Sequence, residues 1–331
     1  MNVTPDLPPS LRLAVRHPTL DDVEALTDLV NASDQVDYGT VWMVPEEMRD
    51  ELARVDLGTD AWIVEADDSA AAAAVAFGAL TRRGPSVRWD VTLTVRPGQR
   101  GQGIGTALAR ALEGRAREHV PEAPSGVSVG MRAWIKGGSQ PARRWAEGLG
   151  FNVQREVLRM RIEMTEPPPA AEWPAGITVR SFVPGRDERA TFEALEEAFS
   201  DHWGHIPNVF EDWVTRTQAE SFEPDLALLA TEGDEIIATS FGSVELDGGW
   251  VSALGTRRAW RRHGVARAIL LETFRRFWDQ GVSRVALGVD SQSLTGATRL
   301  YERAGMRIVE RYDQLSKVLR PGLDPTTTPD R

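Results

Sequence analysis

Cysteine is absent from the 331 residues, which excludes disulfides, thiolate metal sites and a cysteine nucleophile. Long apolar runs are missing as well: Ala70–Leu80 is the longest, far short of the roughly 20 residues that a membrane-crossing helix needs. The opening Met-Asn-Val-Thr-Pro-Asp-Leu-Pro-Pro has neither a basic segment nor an apolar core, so no signal peptide is expected and a cytoplasmic location is. Positive charge is in short supply. With 38 Lys and Arg against 49 Asp and Glu, the formal charge is −11, which argues against nucleic acid or anionic membrane as a partner; solubility alone accounts for it, and it would also suit a cationic amine. The five histidines form no His-Glu-x-x-His pattern, and no metal is expected.

What is present is a glycine-rich junction. Val95-Arg96-Pro97-Gly98-Gln99-Arg100-Gly101-Gln102-Gly103-Ile104-Gly105-Thr106 leaves the strand-like run Asp90 to Val95. It leads into a helix whose apolar residues, Ile104, Ala107, Leu108, Ala111 and Leu112, recur on one face. The first turn is thereby left for a ligand: its N–H groups and the helix dipole favour an anion, and glycines let a phosphate approach. A P-loop is excluded because Gly105 is followed by Thr106 and Ala107, where Lys and Ser or Thr are required. A dinucleotide fold is excluded because no acidic residue ends a second strand at the right distance.

The pattern occurs twice. Arg261, Gly264 and Ala266 lie 161 residues after Arg100, Gly103 and Gly105, again behind a strand-like run, Trp250 to Thr256. Val15-Arg16 is echoed by Val179-Arg180, Trp42 and Pro45 by Trp203 and Pro207, and Leu149-Gly150-Phe151 by Ala304-Gly305-Met306. A period of this length is a duplicated domain. The prolines between Glu163 and Gly176 mark a linker. The expected organisation is an N-terminal domain over residues 1–164, a linker over 165–176, a C-terminal domain over 177–320 and a disordered tail over 321–331. Within the first repeat the spacing predicts strands at Leu11–Arg16, Ala61–Ala66, Ala72–Leu80, Arg88–Val95, Val127–Trp134 and Phe151–Glu163. Helices are predicted from Thr19 to Val30, Glu46 to Val55 and Ala142 to Leu149, with Asn31 to Pro45 as a loop. Mixed strands with intervening helices predict an α/β fold.

The arrangement Arg-x-x-Gly-x-Gly resembles the acyl-CoA signature of the GNAT N-acetyltransferase superfamily, and the duplication resembles the mycothiol synthase type of tandem acetyltransferase. The resemblance implies two tandem domains, each a splayed mixed β-sheet flanked by helices, and acetyl-CoA as the acyl donor. It implies a pyrophosphate cradle at Arg100, Gly101, Gln102, Gly103, Ile104, Gly105 and Thr106, and a second at Arg261, Arg262, His263, Gly264, Val265, Ala266 and Arg267. The pantetheine arm would pair with Leu93 and Val95 in the first copy and Leu254 and Thr256 in the second, with Ser293 joining the cofactor contacts. Arg257-Arg258 and Arg261-Arg262 would meet coenzyme A phosphates.

In the run Thr295 to Gly305 the resemblance assigns Tyr301, one of three tyrosines, as the general acid that protonates the departing thiolate. The same register in the first repeat, four before Gly150, is Ala146, which has no proton to give. The C-terminal domain is therefore expected to be catalytic and the N-terminal one not. For the general base the family's glutamate register, six before Thr256, falls on Trp250. Glu245 and His202 are the candidates, with Asp247, Asp201, His205 and a water chain as alternatives. The expected reaction is acetyl transfer from acetyl-CoA to a primary amine of a small molecule, by a monomer or homodimer. A protein or peptide N-acetyltransferase and a non-catalytic acyl-CoA sensor are the other readings.

Overall fold

The computed structural model describes residues 4–39, 41, 43–66, 73–83, 87–202, 205, 207–293 and 296–323. Trp42, Trp203 and Thr295, used above for the repeat and the Tyr301 motif, lie outside them. Contacts divide the chain into two compact units. One holds residues to Gln154 together with those from Asp313 onward; the other is Arg155–Tyr312.

The first unit contains β1 (Leu13–Arg16), α1 (Val23–Asp37), α2 (Pro45–Leu52), β2 (Ala61–Ala66), β3 (Ala74–Arg83), β4 (Arg88–Val95), α3 (Ile104–Glu118), β5 (Val129–Lys136) and α4 (Gln140–Gly148). It also takes in the start of β6 (Asn152–Glu163). Strands follow the order β1-β2-β3-β4-β5, antiparallel up to β4 and parallel between β4 and β5. On one face Leu26, Leu29, Met48 and Leu52 of α1 and α2 pack on Ile63, Phe77 and Ala79. On the other, Leu108 and Leu112 of α3 press on Gly78. These are the residues that the helical periodicity marks as inward.

The second unit repeats the plan with β7 (Ile177–Ser181), α5 (Glu188–Phe199), α6 (Phe210–Thr217), β8 (Ala227–Glu232), β9 (Glu235–Glu245), β10 (Gly248–Thr256), α7 (Val265–Asp279), β11 (Arg284–Asp290) and α8 (Ala297–Arg303). The last strand, β12 (Arg307–Arg320), gives its residues up to Tyr312 to this unit and the rest to the first. Phe182, Leu195, Trp213 and Leu229 form the core under α5 and α6, while Phe274 and Phe277 of α7 lead the cluster on the opposite face. In both units an arginine at or next to the end of the first strand clamps an aspartate at the start of the helical layer. Arg16 Nη2 lies 2.6 Å from Asp22, and Arg180 Nη1 lies 2.6 Å from Asp187.

Four expectations need correction. The helix from Thr19 does not stop at Val30 but runs to Asp37, because Thr27 and Ser33 turn inward and keep the buried face going. The domain boundary does not fall at residue 164: Val157–Glu163 pair antiparallel with Arg284–Asp290, so most of β6 is a strand of the second unit. Nor is the proline-rich segment a free linker, since Met164 is buried in the second unit's core and Ala171 and Trp173 pack on it. Finally, the tail is fixed at its start, where Leu323 N–H donates to Gly126 O at 2.8 Å and Ser128 N–H donates to Leu323 O at 2.8 Å. Residues 324–331 lie outside the described part. Among the described residues no helix is long and apolar enough to cross a membrane.

Two glycines in the second unit exist for α7. A Cβ on Gly249 would sit 2.6 Å from the Phe277 ring, and one on Gly242 would sit 2.7 Å from it. Phe277 is fully buried and cannot yield. Gly249→Ala is therefore expected to lower unfolding free energy by about 1–3 kcal/mol, and Gly249→Ala with Phe277→Leu to recover part of the loss. Gly78→Ala, facing the flexible end of Leu112 at 3.2 Å, should cost less; chemical denaturation ranks the three.

Candidate active site

The second unit's site starts from a parting of strands. β10 and β11 pair in parallel only through Gly249–Val251 and Val285–Leu287. Beyond that β10 follows β9 alone, with a register shift between Val251 and Ala253. An extra residue bends and twists a strand, and here it turns β10 away from β11. The first unit parts in the same place, after Arg88–Asp90 against Gly130–Arg132, although β3 and β4 stay in register to Val95.

Each parting leads to a cradle. Gly264, at φ 86°, is the N-cap of α7, and Gly103, at φ 88°, is the N-cap of α3. Three residues upstream an arginine braces the loop. Arg261 Nε–H donates to Thr256 O at 3.3 Å, and its Nη groups reach Asp201 at 2.7 Å and Ala198 O at 2.9 Å. Arg100 does the same, to Val95 O at 3.1 Å, Asp37 at 2.7 Å and Ser33 at 2.6 Å. Arg261 and Arg258, expected to meet phosphates, are both paired with Asp201, and Arg257 is paired with Glu197 and Glu235. The side chains of Arg262, His263 and Arg267 are exposed around the cradle. Arg262 adopts φ 67°, a left-handed conformation for which the first copy uses Gly101, at φ 78°. Ser293, its N–H donating to Asp290 O at 3.0 Å, sits beyond β11 and away from this loop in sequence order.

Acetyl-CoA fits the second unit on three observations. A Cβ built on Gly264 meets nothing within 4 Å, so the helix mouth is open. Past Leu287 no β11 residue pairs with Leu254 to Thr256, leaving a strand edge for an extended arm. Thr256 Oγ1 is buried there without a hydrogen-bond partner, a polar atom awaiting one.

Tyr301 lies on α8, buried at 7 % exposure, in the same apolar cluster as Leu254 of β10 and Leu287 and Val289 of β11. No described residue hydrogen-bonds its hydroxyl, and burial pushes the group up to about 12. The cap of α8 fixes the register: Met306 N–H donates to Tyr301 O at 3.0 Å and Gly305 N–H to Glu302 O at 3.0 Å. The same cap in α4 joins Phe151 N–H to Ala146 O at 3.0 Å and Gly150 N–H to Glu147 O at 2.9 Å. Ala146 is thus the counterpart of Tyr301.

The sheet face opposite α7 carries Glu245, Trp250 and Arg159. The Glu245 carboxylate makes no ion pair or hydrogen bond to another described residue. Burial, with Asp247 nearby and Arg159 opposing, raises its carboxyl to about 7. Asp247, by contrast, is tied to Arg284 and Arg161, and His205 to Glu196 at 3.2 Å. Asp201 is held below the usual carboxylate range by its bond to Arg261. All three are engaged in ion pairs. His202 is exposed, its ring 4.5 Å from Phe199. Arg159 was not expected. It is 8 % exposed, its Cζ lies 5.2 Å from the Trp250 ring centroid, and Glu310 anchors it at 3.9 Å while accepting from Tyr312 Oη at 2.6 Å. The alternation Arg155, Val157, Arg159, Arg161 was the available signal, since it sets one face of β6 with arginines.

The Acetyltransferase (GNAT) family model matches residues 23–151 and again 189–306. The crystal structure of a GCN5-related N-acetyltransferase from Sphaerobacter thermophilus is 39 % identical, with a TM-score of 0.79 over 97 % of this chain and 100 % of that one. A mycothiol acetyltransferase from Thermobispora bispora is 33 % identical over 220 residues, 64 % of this chain and 70 % of that protein. A tandem GNAT protein from the clavulanic acid biosynthesis pathway, 16 % identical, shares the fold with a TM-score of 0.66 over 94 % of this chain and 99 % of that one. With the family's pattern present in both halves, the chain belongs to the GNAT acetyltransferase family and is an acetyl-CoA-dependent N-acetyltransferase with two such domains in tandem.

Proposed function

We propose that the second unit acetylates a primary amine of a small molecule, with Tyr301 as general acid and Glu245 as general base. The observation that carries this is the buried Tyr301, packed with residues of both parting strands. The likeness to mycothiol acetyltransferases supports a small acceptor. Bound acetyl-CoA supplies an acetyl thioester whose sulfur leaves as a thiolate when an amine attacks. The cradle at Gly264 to Ala266 and the edge Leu254–Thr256 hold this donor extended, which confines the reacting carbon to one place.

Tyr301 holds its proton at Oη throughout the physiological range, since its midpoint is about 12; it can give that proton to a thiolate but does not lose it to solvent. Glu245 exchanges a proton near neutrality, with a midpoint of about 7, the range in which a base is both available and strong enough to deprotonate an ammonium. Trp250 and Arg159 wall the acceptor side. Trp250 takes the register of the family's glutamate, and Glu245 serves from the end of the neighbouring strand.

Tyr301→Phe is expected to lower kcat on the order of 10²-fold while leaving KM for acetyl-CoA within a few-fold; unchanged kcat in a thiol-release assay removes the acid assignment. For the wild type kcat/KM should rise with pH through about 7, and Glu245→Gln should lose that limb. Stability moves the other way. A raised carboxyl binds its proton in the folded chain at pH values where the unfolded chain has released it, so its contribution is present below pH 4.5 and lost as pH rises through about 7. Melting curves across that window should show Glu245→Gln gaining on the wild type as pH rises.

A further inference from the structure

The two cradles share backbone geometry and differ in what stands in front of them. In the second unit the space at Gly264 is open. In the first, a Cβ on Gly103 would lie 3.2 Å from Pro8 Cγ. Pro8 belongs to a segment that is docked: Pro5 is buried, and Leu11 N–H closes a turn onto Pro8 O at 3.0 Å. A proline ring therefore stands at the helix mouth where a diphosphate would have to lie.

A side chain also lies across the groove beyond. Trp145 of α4 reaches across to α3, its Nε1–H donating to Thr106 Oγ1 at 3.1 Å. A Cβ on Gly105 would find Val95 at 3.4 Å and both Leu93 and the Trp145 ring at 3.7 Å. The indole thus shares one spot with the two β4 residues expected to meet the pantetheine arm. In α8 the register of Trp145 falls on Leu300, one before Tyr301, and Leu300 packs into the core cluster of its own unit.

From these contacts we infer that the first unit's carrier groove is closed by the chain's own Pro8 and Trp145, so that each chain takes up one acetyl-CoA, at α7, and not two. The inference rests on the second-unit cradle proposed above. In this state Leu93, Val95 and Gly101 to Thr106 serve the fold, and the first unit acts as a carrier-shaped scaffold sealed by an N-terminal strap and an indole bridge.

Isothermal titration of the full chain with coenzyme A tests the inference. One binding event per chain is expected, lost in Gly264→Asp and retained in Gly103→Asp. Pro8→Gly combined with Trp145→Ala should add a second event, and because both residues lie in the first unit, acetylation by the second should be unchanged. Two events in the wild type, one removed by each glycine variant, overturn the closure and leave the proposed function standing. A single event that persists in Gly264→Asp and vanishes in Gly103→Asp overturns both. A double variant that stays at one event, with wild-type melting temperature, shows that these side chains are not the seal. The wild-type stoichiometry is read without any variant and decides the main point alone.

Discussion

The parting of β10 from β11 is the constraint from which the site follows. Parallel strands stay paired unless something removes a partner, and here the separation begins after three residue pairs, where a register shift against β9 re-aims β10. Residue size on either side of that point makes it possible. Gly242 and Gly249 allow Phe277 to press on the paired stretch, so the strands are held tightly just below the place where they separate. On the opposite face the Trp250 ring covers Gly288 at 3.7–3.8 Å from where its Cβ would be. The wedge that results exposes strand edge inside the protein, and buried edge needs a hydrogen-bonding partner.

The arginine of the cradle shows how a loop conformation is kept through duplication. Arg100 and Arg261 each tie the loop to the carbonyl ending the preceding strand and to an aspartate at or just after the end of α1 or α5. With the loop pinned at both ends, its interior residues have little choice of backbone. Arg262 is accordingly left-handed, at a cost on the order of 1–2 kcal/mol for a residue with a Cβ, where the first copy uses glycine. Bracing of this kind accounts for the same φ angles at Gly103 and Gly264 although the surrounding side chains differ.

Legibility in the sequence followed the range of the interactions. The glycine-capped starts of α3 and α7, the inward faces of those helices and the place of Tyr301 on α8 were readable because each is set by residues a few positions apart. The full length of α1 was not: Asn31, Asp34 and Asp37 look like loop residues, yet Ser33 and Asp37 are where Arg100 lands, a contact across more than sixty positions. Arg159 escaped notice for a similar reason. Its role depends on β6 lying beside β11, a pairing that no local pattern announces, and the proline-rich segment after it looked like the natural place to divide the chain.

That division has a bearing on ancestry. Val157 to Glu163 follow directly on the first repeat and yet complete the sheet of the second unit, while Asp313 onward closes the chain as part of the first. Once a duplicated gene reaches this arrangement, neither copy can be deleted or shuffled elsewhere without taking a strand from its sibling. A half that had given up its own chemistry would then be retained by selection on the other.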